Sequence, residues 1–417
     1  MTFRRPHDAQ AGSSMPPIEI YLDRPANGGA SVGRDENGRA VFCEGGLPGE
    51  TVRVNITSAK KRFARGQVIE VLNASPDRVQ ARCATHHLGC GGCDLAHATP
   101  LLQRQIKRQV VVDSLVRIGG IDADHVDQLL GDMSGIAEGG SAAYRTTVRA
   151  AIVDGRAGYR KRASHSVVAA EMCRVAHPLL EDLLLNARFG LAAGGDVVMR
   201  VSASTSERIA IVDEPSVDTK FPDDVVVVSR AQLDEGADVH ITEFAAERDW
   251  RVSAGSFFQA GPEVATELVD AVRSGAGDLS GATVVDAYSG VGLFAGTLGT
   301  DASTVYAVER AGSSTADARI NLAGQNAVVV ESPVESWTPV AADVVIADPA
   351  RSGLGRDGVA TLLGCKAERF VLVACDTGSL GRDVGLLVEA GYSVSSVQLV
   401  DAFHDTSHVE TIVGLSR

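Results

Sequence analysis

The chain predicts a three-part α/β architecture, in which a small β-barrel and a mixed α+β region precede a doubly wound, mostly parallel sheet. Three observations carry this reading. In the C-terminal part, short Val/Ile-rich runs alternate with amphipathic segments of roughly ten residues, the pattern of a sheet with crossover helices. Near the N-terminus, short strand-like pieces are separated by closely spaced Gly and Asn-Gly turns, as in small barrels of the OB type. Finally, Asp348, Cys375 and Glu410 stand at the ends of apolar runs. Open α/β sheets bind ligands outside the carboxyl ends of their strands.

Taken in order, residues 1–14 hold no apolar run and predict a disordered tail rather than a signal peptide. Residues 15–75 predict the barrel, with strands near 18–22, 29–32, 40–43, 51–56 and 67–72 and the clearest turn at Asn37-Gly38. Residues 76–250 form the mixed region. It begins with a cysteine cluster and continues into a segment, 101–118, whose apolar and basic residues recur at helical spacing. Residues 251–417 hold seven strand-like runs: 283–286, 304–308, 327–331, 343–347, 369–374, 393–400 and 409–415. No helix separates the last two, which predicts an antiparallel hairpin at the sheet edge.

Three constellations carry chemistry. After the first run, Asp286, Tyr288, Gly290, Gly292 and Ala295 make a Gly-rich turn into a helix, and Glu309 ends the next run. Glycines there let a nucleoside cofactor approach the backbone, and the acid can bind ribose hydroxyls. The spacing fits a dinucleotide or S-adenosylmethionine equally. Cys375 is presented at the top of a strand, where a thiolate can attack an electrophilic carbon. Glu410, in a neighbouring run, can remove a proton, and Asp348 can accept from a ring N–H. Cys83, Cys90 and Cys93 lie within eleven residues among Gly89, Gly91 and Gly92, with Cys173 as a remote fourth thiol. Four thiolates fit zinc or an iron–sulfur cluster, and His86 or His87 could complete a zinc site. Cys43 and Cys365 sit in apolar contexts and read as core.

Composition sets the bounds. The 417 residues imply two or three domains, and no apolar run is long enough to span a membrane. A cytosolic chain is expected, so its seven cysteines point to metal, nucleophile or core roles rather than disulfides. The net charge of −14 argues against nucleic acid, but its distribution argues for it. Residues 51–82 hold seven Arg/Lys against two acids, and residues 144–174 repeat that balance. Two such islands can form a phosphate-binding face.

Together these residues resemble the S-adenosylmethionine-dependent RNA uridine C5-methyltransferases, especially the iron–sulfur members acting on 23S ribosomal RNA. Residues 17–82, notably 41–50 and 75–79, resemble that family's N-terminal TRAM domain, an OB-like barrel. Cys83, Cys90, Cys93 and Cys173 match its four [4Fe–4S] ligands, with the first gap one residue longer. Tyr144-Arg145 and Gly158-Tyr159-Arg160 match its RNA-facing central segments. The resemblance implies a Rossmann-like methyltransferase domain in which Gln259, Tyr288, Gly290, Gly292, Glu309 and Asp348 bind the cofactor. Cys375 would be the nucleophile, Glu410 the general base, and Asp348 also the group that recognises uracil. It implies an RNA partner, ribosomal or transfer, and a monomer. The chain departs from the family at Ala260-Gly261, Asp376-Thr377, His404 and Ser332-Pro333-Val334-Glu335. An RNA-binding or redox-sensing module with an inert catalytic domain, and an NAD-dependent enzyme, are the competing expectations.

Overall fold

A computed structural model describes residues 16–135, 143–190, 194–214 and 218–417. The expected N-terminal tail, 1–14, lies outside the described residues. Strands Ile18–Pro25, Ala30–Arg34, Ala40–Glu44, Thr51–Ala59 and Phe63–Asn73 form a closed barrel in the order first, second, third, fifth, fourth. Alternating residues point inward, as the period of two requires: Ile20, Leu22, Val41, Cys43, Val52, Val54 and Ala64 make its core. Cys43 is therefore packed, as its context suggested. The barrel's exit is clamped by Arg78, whose guanidinium donates to both oxygens of the buried Glu50 at 2.6 and 2.7 Å.

The middle of the chain builds a six-stranded sheet. Its order is Val225–Ser229, Arg208–Val212, Asp196–Val201, Thr147–Val153, Arg156–Arg160, Val167–Ala169. The helix Pro178–Asn186 covers it with Leu180, Leu183 and Leu184. A hairpin, His240–Ala245 with Arg248–Ser253, then leads into the last part.

There the sheet has eight strands. Their order is Ala327–Glu331, Thr304–Glu309, Thr283–Ala287, Val344–Ala347, Arg369–Ala374, Glu410–Ser416, Ser393–Asp401 and Leu130–Gly135. The first five are parallel and Glu410–Ser416 is antiparallel to its neighbours. All seven expected runs are strands, and the last two pair antiparallel. They do not, however, form the edge. Leu130–Gly135, from the middle of the chain, adds in parallel to Ser393–Asp401 and caps a strand whose backbone would otherwise stay open. The run is too polar to read as a strand; only pairing makes it one.

Strand order reverses beside Thr283–Ala287, whose successors lie on opposite sides, and this opens a crevice at the carboxyl ends. The helix Pro100–Arg117 packs on Thr377–Glu389, buries Ile106, Val111 and Leu115, and joins the cysteine segment to the eight-stranded sheet. Among the described residues, no helix is long and apolar enough to cross a membrane.

Candidate active site and thiol cavity

The crevice collects the strand-end residues. Cys375 follows Arg369–Ala374, and Glu410 begins the antiparallel strand beside it, where Ala374 pairs with Thr411. Continuing that register sets Cys375 opposite Glu410. Asp348 follows Val344–Ala347, the next strand over. Gln259 is 9 % exposed and its Nε2 donates to Asp348 Oδ2 at 3.1 Å. Gln259 lies in a loop held from both sides. Arg200 donates to the carbonyls of Ser253 and Ser256. The fully buried Asp317 accepts from Ser253 N, Ser253 Oγ and Ser256 Oγ.

The electrostatics follow from burial. Burial pushes the Glu410 carboxyl up to about 8; Asp348 adds to the shift and Arg351 opposes it. Burial raises Asp348 to about 7 against the Gln259 hydrogen bond. The Cys375 thiol rises to about 12, through burial first and then Glu410 and Asp348, with Arg351 again opposing. Arg351 thus acts on both Cys375 and Glu410, a role that its position in Asp348-Pro349-Ala350-Arg351 did not by itself disclose. Glu410 Oε2 is buried with no hydrogen-bond partner among the described residues, an acceptor available to a substrate proton.

These shifts have a measurable consequence. A carboxyl raised in the folded state keeps protons that the unfolded chain releases, so stability falls as pH rises between the two values. The ligand-free protein should therefore lose stability between about pH 4.5 and about pH 8. Glu410→Gln should flatten the decline without removing it, because Asp348 and Asp286 are raised too. Thermal unfolding across that range tests this; parallel profiles for the two proteins would contradict it.

The Gly-rich turn sits at the other end of the crevice. Tyr288, Gly290 and Gly292 have φ of +61°, +56° and +92°, so the backbone curls under the helix Leu293–Leu298. A side chain at Gly290 would project into open space, which leaves a cradle for a ligand. Glu309 accepts from Gly290 N at 3.1 Å and Ala311 N at 2.7 Å, which fixes its carboxylate beside that cradle. Tyr288 donates to Glu335 Oε1 at 2.8 Å and draws the loop after the third strand onto the turn. Gln259 thus meets Asp348, and Gly290 meets Glu309, at the carboxyl ends of the parallel strands, with Asp286 Oδ1 and Ser289 Oγ buried and unpartnered among the described residues.

The four remaining thiols gather elsewhere. Cys83, Cys90, Cys93 and Cys173 line one cavity of about 260 Å³, together with His86, Tyr144, Arg145 and Tyr159. Backbone pairing of Cys90 with Lys161 brings the cysteine loop to the central sheet. Thr85 donates to Met172 O at 2.7 Å and accepts from Met172 N at 3.0 Å, which brings Cys173 in. Tyr159 OH reaches Cys173 Sγ at 3.2 Å. No three His, Cys, Asp or Glu side chains among the described residues are close enough to hold one metal ion. Four thiols on one cavity are the donor set that either a zinc ion or an iron–sulfur cluster would use. Tyr144, matched to an RNA-facing segment, is instead 3 % exposed against this cavity. Cys365 is fully buried, as expected.

Comparison with known proteins now has a geometry to rest on. A TRAM domain model matches residues 18–69, the barrel. An uncharacterized RNA methyltransferase of Streptomyces avermitilis is 34% identical over 94% of this chain and 96% of its own. Another, from Corynebacterium efficiens, is 34% identical over 96% of this chain and 94% of its own. Among solved structures, a Pyrococcus abyssi tRNA (uracil-54, C5)-methyltransferase in complex with S-adenosyl-L-homocysteine shares the fold. Its TM-score is 0.69 at 22% identity, across 95% of this chain and 99% of that one. With relatives 34% identical across more than nine-tenths of both chains, the chain belongs to the RNA methyltransferases and carries a TRAM domain.

Proposed function

We propose that the protein transfers a methyl group to C5 of a uridine in RNA through a covalent adduct of Cys375 with uracil C6. The observation that carries this is the meeting of Cys375, Glu410 and Asp348 at neighbouring strand ends with Arg351 beside them. Uracil C5 is too weakly nucleophilic to be methylated unaided. The Cys375 thiolate, its proton first given up to solvent, adds through Sγ to C6, and C5 becomes enolate-like. S-adenosylmethionine, held by Gln259, Tyr288, Gly290, Gly292, Glu309 and Asp348, supplies the electrophilic methyl when bound. Glu410 then removes the C5 proton and the C6–S bond breaks, restoring the ring and the thiolate. Asp348 orients the ring through N3–H. The base must leave its stack to enter the crevice.

Resemblance points to 23S ribosomal RNA as the substrate. The likeness to the Pyrococcus abyssi enzyme spans 95% of this chain, the barrel included, so the barrel does not set a ribosomal enzyme apart and transfer RNA is the second reading. Mapping 5-methyluridine in both RNAs with and without the gene decides between them. Loss of one site in 23S RNA supports the first and loss in transfer RNA the second. Unchanged 5-methyluridine in both overturns the activity.

Cys83, Cys90, Cys93 and Cys173 are proposed to hold one [4Fe–4S] cluster, structural because it lies apart from the crevice. Anaerobically purified protein should be brown, and Cys90→Ser should lose the colour and the iron. Stoichiometric zinc without iron would overturn this and bring His86, which lines the cavity, forward as a ligand.

A further inference from the structure

Glu410 carries the proton-removal step in this reading, and its buried Oε2 has no hydrogen-bond partner among the described residues. Its placement depends on the backbone before it. Residues 402–409 have no regular structure, so that backbone must be held from outside. One loop holds it. Asp94 Oδ1 accepts from Ser407 N at 2.7 Å, and Asp94 Oδ2 accepts from Ser407 Oγ at 2.6 Å. The next residue, Leu95, donates its N–H to Asp405 O at 2.9 Å. Gln103 then donates to Asp405 Oδ1 and accepts from Asp405 N, both at 3.0 Å. The fully buried Lys107 donates to Asp401 and to Phe403 O.

Asp94 links the two regions. It directly follows Cys93, and Cys93, Asp405 and Thr406 line the same thiol cavity. The barrel closes over it as well. Gly29 has φ +75°, and a Cβ there would fall 2.0 Å from Asp94 Oδ2. Barrel, thiol loop and catalytic hairpin therefore converge on one carboxylate, which spends both oxygens on Ser407, three residues before Glu410.

We propose that Asp94 is a positioning residue for Glu410, acting through Ser407, so that the thiol cavity sets the placement of the base from a distance. This rests on the uridine C5 reading above. The prediction is specific, because a misplaced base leaves addition and methyl transfer intact and stalls only adduct release. Asp94→Ala should lower kcat by about tenfold to a hundredfold, the effect of losing hydrogen bonds to a charged group. KM for RNA, binding of S-adenosylhomocysteine and iron content should stay as in the wild type. Covalent protein–RNA adduct should accumulate on unmodified RNA and survive denaturing electrophoresis. Asp94→Asn keeps an acceptor for Ser407 N and should recover most of the rate. Should Asp94→Ala fold poorly, Ser407→Ala decides, with a smaller fall in kcat and the same adduct. Wild-type turnover in these variants, a slow variant without adduct, or Asp94→Asn no better than Asp94→Ala would overturn the proposal. Glu410→Gln run alongside separates the two levels. If it shows no adduct, the C5 mechanism fails; if it does and the Asp94 and Ser407 variants do not, only the positioning role fails.

Discussion

Cys375→Ala should abolish methylation while leaving a folded protein that still binds S-adenosylhomocysteine. Cys375 is the one thiol at the crevice; Cys43 and Cys365 are buried in cores, and the other four line the separate cavity. Without a sulfur to add to C6, uracil C5 stays unactivated, and the loss should reach about 10⁴-fold or more, as for other essential nucleophiles. The decisive measurement is capture. RNA bearing 5-fluorouridine should trap the wild-type enzyme, since the fluorine at C5 cannot leave as a proton does, and should leave the variant free. Because the substitution removes only one sulfur from a half-buried site, its unfolding free energy should stay within about 1 kcal/mol of the wild type. Residual methylation with undiminished capture would mean that another group attacks the ring.

Glu410→Gln should behave differently. The amide keeps the size of the side chain but cannot accept the C5 proton, so the reaction proceeds through addition and methyl transfer and then stops. Turnover should fall by about 10²- to 10⁴-fold, the usual contribution of a positioned base. Methylated adduct should build up on ordinary RNA. The burial that lifts Glu410 to about 8 also makes it a stronger base than an exposed carboxylate once ionised, which suits the task. Turnover at the wild-type rate would show that the base is misassigned. His408, half-buried just before the strand and stacked edge-on to Phe403 at 6.1 Å, would then be the candidate.

Local patterns determined much of this protein by themselves. The central strands Thr283–Ala287, Val344–Ala347 and Arg369–Ala374 are dense in apolar residues because both their faces are covered, and that composition survives in the linear chain. The barrel's strands were equally legible, since one buried face imposes a period of two and the turns need glycine. Cys375, Asp348 and Glu410 could be read because strand ends are sequence features and their chemistry is scarce. The helix 101–118 fell one residue from Pro100–Arg117, where Thr99 caps it and Pro100 opens it.

Tertiary structure alone decided the rest. Leu130–Gly135 is a strand only because an open backbone edge waits for it, which no local pattern records. Tyr144 matched an RNA-facing segment of the resembled family, yet folding leaves it 3 % exposed on the lining of the thiol cavity. The raised carboxyls and the thiol near 12 arise from burial together, a many-body effect that residue types cannot carry. Asp94 and Ser407, 313 residues apart, meet through hydrogen bonds whose energy depends on a few tenths of an ångström. Chain order is blind to such distances, because it lists neighbours along the backbone while electrostatics and hydrogen bonding act through space.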